Sequence, residues 1–463
     1  MEDSVRRERL YLLYFNTEEP KSSAGIARED RTIFTWVFTA IPGQIFKTKE
    51  QRMIDWNEEQ QLARDTIRKF IEAEVVPNIE ALEHEGMPPY DIIRKMYQTF
   101  GVDEIARARF EKAMERDEAI EAGETPEEES AAAGDDLGID TILSMELCRH
   151  SAGIVTAMGV TQLAAGAIMS QGNVEQKHKW GLDLLTGEKV GSWAITEPGS
   201  GSDAFGGMTS TAKLLDNGDY ALNGSKTFIT NGPHADTIVF ICKLIEEGVE
   251  PRQRKILTFV LDSGMTGLEQ SKPLRKMGLH SSPTGQLFLE DVIAGPERLL
   301  AGLKNKNPKA KKKKSDPRAT FAAERVGVVS MSLGVVERCL ELSVEYSKER
   351  IQWEKPIGEY QLIQLKLANM EVARFNIQNM LFNYLERKAK GKPMSFAEAS
   401  AMKLYSTQSA VEVASEAIQL FGGNGYMAEY KVEQLYRDAR VMRIYAGTDE
   451  MQIRAIARDL LSR

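Results

Sequence analysis

The sequence predicts an α+β multidomain fold in which a helical domain, a β domain and a second helical domain follow one another. Three observations predict it. Helical spacing of apolar residues appears from Glu58, short β-rich runs with turn signals replace it at about Val190, and three- and four-residue spacing returns at Val326. The expected boundaries are an N-terminal extension over 1–50, a helical domain over 51–189, a β domain over 190–300, a linker over 301–317 and a helical domain over 318–463.

The extension has no dependable periodicity, and its apolar stretch 33–41 reads as a docking strand or a packed extension. From Glu58, the residues Leu62, Ile67, Phe70, Ile71 and Val75 place apolar groups on one helical face, and Pro77 is expected to close the helix. Over 111–129, nine acids stand against Lys112 and Arg116 alone. Segment 103–136 therefore reads as a solvated helix-and-loop insertion, with a lid as the alternative. In the β domain, 236–243, 255–262 and 286–292 are expected strands, with Asn217-Gly218 and Asn223-Gly224 as turns. The stretch 304–314 holds seven lysines and no acid, so it is a solvated linker or a gatherer of phosphates or of a partner's acidic face. Then Val326, Val329, Leu333, Val336 and Leu340 mark a long helix, followed by helices over about 361–390 and from Phe396, where Ser395 and Glu398 form a capping box.

Composition narrows the function classes. With 463 residues and 42% hydrophobic content, the chain can bury ordinary cores and is expected to be a soluble globular protein. Cys148, Cys242 and Cys339 are too scattered for a disulfide framework, which points to a reducing compartment. The five histidines show no paired ligand spacing, so no metal site is expected. No apolar run reaches the roughly 18 to 20 residues of a spanning helix, and Glu2, Asp3 and Glu8 argue against a signal peptide. The net charge of -9 disfavours nucleic acid as a partner.

Two distant stretches carry the chemistry: Ala194-Ile195-Thr196-Glu197-Pro198-Gly199-Ser200-Gly201-Ser202-Asp203, a turn of small residues that lets the backbone approach a ligand closely, and Gln419-Leu420-Phe421-Gly422-Gly423-Asn424-Gly425-Tyr426, a helix end running into a glycine turn. With Phe228-Ile229-Thr230-Asn231-Gly232 between them, their order and spacing resemble the acyl-CoA dehydrogenase family over about residues 50–463. The resemblance implies a β-barrel-like central domain, a C-terminal four-helix bundle, FAD as cofactor, an acyl-CoA substrate and an electron-transferring flavoprotein as partner. It also implies a homo-oligomer, with a dimer of dimers as the family norm, in a bacterial cytoplasm or a mitochondrial matrix. The alternatives are an acyl-CoA oxidase of the same fold, or a flavin-bearing binding protein in which 304–314 touches nucleic acid or an anionic surface.

Desaturation between Cα and Cβ of a thioester needs a base, a hydride acceptor and donors to the thioester oxygen. One branch of the family carries its base in a Tyr-Glu-Gly-Thr stretch, which here reads Tyr445-Ala446-Gly447-Thr448. The branch resembling isovaleryl- and long-chain acyl-CoA dehydrogenases carries it in a Glu-Arg pair on a core helix, which matches Glu324-Arg325. Glu324 is therefore the expected base, with the Ala446 N–H as donor to the thioester, and Arg325 and Tyr445 against the substrate. Tyr445, bulkier than the small residue of an isovaleryl-like pocket, implies an unbranched medium or long acyl chain. For the flavin, the resemblance assigns Ile195 and Thr196 to the pyrimidine edge, Ser202 to phosphate, and Phe228 and Thr230 to the ring face and N5 side. Arg350, with Trp353 in the same stretch, matches the pyrophosphate contact; Gln419 and Gly423 match the adenine end, and Thr448 and Glu450 the last flavin contact. Glu354 replaces a customary glycine and Gln434 a customary basic residue. On one continuous helix, Glu324 and Arg350 stand about 39 Å apart at 1.5 Å per residue, so they are expected to serve two cofactors in a shared, at least dimeric, site.

Overall fold

The computed structural model describes residues 55–124, 138–300, 317–392 and 394–463. The extension 1–50, the acidic stretch beyond Glu124 and the lysine-rich 304–314 lie outside the described residues.

Helix α1 (Glu58–Phe70) starts in a capping box: the Asn57 side chain accepts from the Gln60 N–H while Gln60 accepts from the Asn57 N–H. Its buried face is Gln60, Ala63, Ile67 and Phe70. Leu62, expected on that face, is 47% exposed, because it sits 100° round the helix from Ala63. Pro77 does not close the run. A π turn (Ile71–Val75) and a 3-10 turn (Val76–Asn78) absorb its missing N–H, and the chain re-enters α-helix as α2 (Ile79–His84).

After α3 (Tyr90–Phe100), the acidic stretch is helical as α4 (Val102–Ala122), but it is not solvated all round. Phe110, Met114 and Asp117 are buried at helical spacing, and Asp117 accepts from Lys177 Nζ at 2.6 Å with both side chains inside. Helices α5 (Ile139–Cys148) and α6 (Ala152–Gln171) follow. α6 overturns the expectation that no apolar run is long enough to span a bilayer: it has 20 residues and passes by length and composition. Here it is a core helix, packing Ala164, Ala165 and Ile168 against Val239, Ile241 and Val260 of the β domain.

The central domain is a seven-stranded mixed sheet in the order β1-β4-β2-β3-β7-β6, with β5 on the other edge of β4. The strands are β1 (Gly191–Ala194), β2 (Thr211–Leu214), β3 (Tyr220–Thr230), β4 (Thr237–Leu244), β5 (Ile256–Asp262), β6 (Leu268–Gln270) and β7 (Thr284–Ala294). β1 and β2 both run parallel to β4, pairing with its first and last residues respectively. Asn217-Gly218 is the expected β2–β3 turn, with the Asp219 N–H donating to the Asn217 side chain. Asn223-Gly224 is not a turn. It is a bulge inside β3, where Gly224 takes φ +145° and an added Cβ would lie 2.3 Å from Ser210 Oγ.

The C-terminal domain is organised by α7 (Pro317–Glu349), 33 residues without a break. The expected stripe is buried at Val326, Val329, Leu333 and Val336, but so are Val328, Met331, Val335 and Cys339, so this helix is apolar nearly all round. It packs on α5, α8 (Gln361–Ala389), α9 (Phe396–Phe421) and α10 (Val432–Met442), and α11 (Asp449–Leu461) lies on α9. The Ser395–Glu398 capping box opens α9 as expected. Ion pairs tie α7 to the N-terminal domain, with Arg64 reaching Glu337 at 2.5 Å and Arg149 reaching Glu341 at 2.5 Å, while Arg64 and Arg68 also join α1 to Glu146 of α5.

The helices α5 and α7 meet backbone to backbone at Gly334, where an added Cβ would lie 2.1 Å from the Met145 carbonyl oxygen. Alanine is the better helix former, yet Gly334→Ala should destabilise the fold by about 1–3 kcal/mol through overpacking. A thermal unfolding midpoint equal to or above the parent's would show that the two helices can part.

Candidate active site

β1 ends at Ala194, and Ile195 and Thr196 leave it along the end of β3, with the Thr227 N–H donating to the Thr196 carbonyl at 2.9 Å. Beneath them lies a buried ion pair that the sequence reading did not single out. Lys226 Nζ donates to Glu197 Oε1 at 2.8 Å and to the Ile195 carbonyl at 3.1 Å, with 0% and 2% of the two side chains exposed. The Thr209 N–H and hydroxyl and the Ser210 N–H also donate to Glu197. Burial pushes this carboxyl up, but the ammonium and these donors outweigh it and hold it down to about 2, so the pair is charged. Its effect is to pin the carbonyl of Ile195, and with it the edge presented by Ile195 and Thr196.

Facing that edge, the β3 register shifts between Lys226 and Ile229, and Phe228 takes φ +56° with 69% of its surface exposed. A phenylalanine in a left-handed conformation with its ring outside is costly on both counts, as expected of a platform for a ligand. Ser202 is exposed in the turn that Ser200 closes onto the Asp203 carbonyl at 2.6 Å. Neither Thr196 nor Thr230 spends its hydroxyl on another described residue.

Helix α6 joins this edge to the expected base. Asn231 Nδ2 donates to the carbonyls of Ala157 and Gly191 at 2.9 Å, while the neighbouring Thr156 bonds the Tyr445 hydroxyl. The Tyr445 hydroxyl also donates to Met331 Sδ on α7 at 3.5 Å, and burial pushes its pKa well up. Glu324 is exposed, yet protein crowds it on most sides; that crowding raises its pKa, opposed by the positive charges of Arg325 and Lys403. Arg325 is 7% exposed, donates from Nη1 to Ser400 Oγ at 2.9 Å, and stacks 3.7 Å over the Phe396 ring.

The turn after Tyr445 is left-handed at two successive residues, Ala446 at φ +51° and Gly447 at +88°. Its carbonyls are held: Gln452 Nε2 donates to Ala446 O at 3.0 Å and to Gly447 O at 2.7 Å, and Lys403 Nζ donates to Gly447 O at 2.6 Å. The Ala446 N–H has no acceptor among the described residues. Thr448 caps α11, and its hydroxyl with the Glu450 N–H lowers the pKa of the exposed Glu450 carboxyl, so these two pair with each other.

Arg350, Trp353, Gln419 and Gly423 gather at the opposite end of α7. Asn424 Nδ2 donates to the Tyr346 hydroxyl at 3.0 Å, and the Tyr346 ring stacks on Phe421 at 4.0 Å, fixing the glycine turn beside the end of α7. Arg350 is exposed and leads into a two-residue hairpin between β8 (Ile351–Gln352) and β9 (Lys355–Pro356). Glu354 adopts the left-handed conformation that a glycine would take freely, at φ +67° beside Trp353 at +46°. The single chain thus brings Ile195, Thr196, Phe228 and Thr230 together with Glu324, Arg325, Tyr445 and Ala446 through α6. It holds Arg350, Trp353, Gln419 and Gly423 a helix length away. Besides the Glu197–Lys226 pair, sequence reading missed Lys403 and Gln452. Lys403 was detectable as a cation on the buried, small-residue face of α9.

Three sequence models of one family match the chain: acyl-CoA dehydrogenase, N-terminal domain over residues 57–188, middle domain over 192–292 and C-terminal domain over 317–461. The chain is 34% identical to the 3-(aryl)acrylate reductase of Clostridium sporogenes over 88% of its own length and 99% of that protein. It is 32% identical to the caffeyl-CoA reductase-Etf complex subunit CarC of Acetobacterium woodii, covering 88% of this chain and all of that one. Among solved structures it resembles butyryl-CoA dehydrogenase from Megasphaera elsdenii, with a TM-score of 0.71 at 30% identity over 88% of this chain and 99% of that chain.

Lys226→Met leaves Glu197 buried without its counter-ion and should destabilise the protein by about 3–5 kcal/mol. Because the folded pKa of Glu197 lies below its ordinary 4.5, its stabilisation in the parent is complete above that value and is lost as pH falls toward about 2. Unfolding followed from pH 7 to pH 2 should show the gap between parent and variant closing with acid. A constant gap would mean that packing, not charge, supplies the difference.

Proposed function

The chain belongs to the acyl-CoA dehydrogenase family, and we propose that it desaturates an acyl-CoA thioester between Cα and Cβ with Glu324 as the base. The observation that carries this is the combination of a crowded Glu324 with an Ala446 N–H left without a partner among the described residues, in a chain whose other family position for a carboxylate is alanine. Glu324 takes the α proton, and crowding favours its neutral form, bringing the carboxyl toward the working range of a general base. The Ala446 N–H donates to the thioester oxygen as negative charge develops there. Ile195, Thr196, Ser202, Phe228 and Thr230 hold the flavin, whose fit is supported by the free hydroxyls and the outward Phe228 ring. FAD, when bound, supplies the acceptor for the β hydrogen as hydride. Tyr445, pinned between Met331 and Thr156, narrows the pocket against branching. The likeness to butyryl-CoA dehydrogenase favours a shorter chain than the residue sizes alone suggested.

The second half of the cofactor site, Arg350, Trp353, Gln419 and Gly423, comes from a neighbouring copy of the chain. An unbroken α7 places it too far from Glu324 for one flavin to reach both. An Arg350 guanidinium without an ion pair among the described residues suits two phosphate oxygens. The electron acceptor is an electron-transferring flavoprotein, a reading supported by the Etf-associated relative from Acetobacterium woodii.

Glu324→Gln should keep its flavin and still bind acyl-CoA, yet turn over slower by a factor of roughly 100 to 10,000, the usual worth of a positioned base. Anaerobic flavin bleaching across a panel of acyl-CoA chain lengths measures this and gives the substrate range; near-parent bleaching would remove Glu324 from the role. Mixing Glu324→Gln chains with Arg350→Ala chains should restore part of the activity, because some hybrid sites then carry neither lesion. Verified subunit exchange with no recovery would place both residues in the same site.

A further inference from the structure

We propose that Lys403 is a positioning residue of this site: its buried ammonium holds the Ala446–Gly447 turn in the shape that presents the Ala446 N–H, and supplies a positive charge that keeps Glu324 ionised. The inference rests on the reading of Glu324 as base and Ala446 as thioester donor. Lys403 is 0% exposed, on a face of α9 otherwise made of Ala399, Ser400, Met402, Ser406 and Thr407. It forms no ion pair among the described residues, so its burial is uncompensated by any direct counter-charge. An ammonium in that position costs several kcal/mol that a methionine of similar shape would not, which calls for a purpose other than packing.

The geometry supplies one. The single hydrogen-bond acceptor of Lys403 is the Gly447 carbonyl at 2.6 Å, inside a turn whose two residues both have positive φ. Alanine at φ +51° is strained, and the conformation persists only while its surroundings hold it. Lys403 and Gln452 hold it from two sides, one with a charge and one without. The charged groups facing Lys403 are Glu324 and Arg325 from α7 and Asp449 from α11. Asp449 is already engaged by Arg443 at 2.7 Å and by Gln408 at 3.1 Å. Lys403 therefore acts on Glu324 as a nearby cation that makes no ion pair of its own among the described residues, with Asp449 as the other carboxylate facing it. Burial drives the Lys403 pKa down to about 8, with Asp449 and Glu324 opposing and Arg325 adding to the fall. Its charge is thus present at neutral pH and is lost as pH rises through that value.

The test compares Lys403→Met with Gln452→Leu in the flavin-loaded enzyme. In Lys403→Met, kcat should fall more than KM rises. The acid limb of kcat/KM should move up by about one pH unit as Glu324 loses a neighbouring cation. The alkaline limb near 8 should disappear. Gln452→Leu, which removes only the neutral donor, should lower kcat without moving the acid limb. Calorimetry gives a readout free of turnover: Lys403→Met should weaken the enoyl-CoA product on the order of 10-fold while leaving an S-alkyl-CoA thioether, which has no carbonyl oxygen, unchanged. Unmoved limbs, or equal weakening of both ligands, would overturn the proposal. Should Lys403→Met fail to hold flavin, Lys403→Gln keeps a donor without the charge, and an acid limb left in place there overturns it too. A parent enzyme that no acyl-CoA bleaches would instead overturn the functional reading beneath it.

Discussion

A single unbroken helix sets the terms for the rest of this molecule. α7 is buried on nearly every side, so no kink or solvent-facing stripe relieves it, and every neighbour must be shaped to its surface. Gly334 lets α5 come within backbone distance, and the arginines of α1 and α5 are matched to Glu337 and Glu341 along its outer edge. The same rigidity decides the chemistry. Glu324 stands toward one end and the Arg350 hairpin beyond the other, and an unbroken helix does not fold back to bring them to one ligand.

Much of the charge in the interior is neutralised in pairs, although Lys243 is buried with only the Gly206 carbonyl as acceptor among the described residues. Glu197 and Lys226 neutralise each other under the Ile195 edge, Asp117 and Lys177 do so between α4 and the helical turns before β1, and Glu146 is shared among three arginines. Each of these is structural, since both partners are satisfied within the fold. Lys403 breaks the pattern at the site: its buried ammonium has a carbonyl acceptor but no ion-pair partner among the described residues, and it lies near Glu324, which likewise makes no ion pair among them. Unspent charge in a protein interior is an expense that folding alone does not explain.

Much of this was legible in the sequence. The helix–sheet–helix order followed from the change in apolar period, and the α9 start followed from Ser395 and Glu398, because both signals are local. The family resemblance led to Phe228 on β3, and to Glu324 and Arg350, which the structure sets toward opposite ends of α7. What local reading missed depended on distant partners. Pro77 looked like a stop, but π and 3-10 turns carried the helix past it. Asn223-Gly224 looked like a hairpin turn, but Ser210 approaching from across the sheet makes it a bulge. Lys226 carries no local sign of burial, and its partner Glu197, 29 residues away, is what accommodates it in the core.

The uncharged helix α6 also has a bearing on how the chain is made. Its covering strands β4 and β5 are complete only at Asp262, so at about 5–20 residues per second the ribosome leaves the face of Ala164 and Ile168 without them for several seconds. A leucine-rich helix of that length would invite capture by a membrane or by other nascent chains in the interval. Here alanine, glycine, threonine and glutamine fill much of the helix, which lowers that attraction relative to leucine while leaving it apolar enough to be buried later.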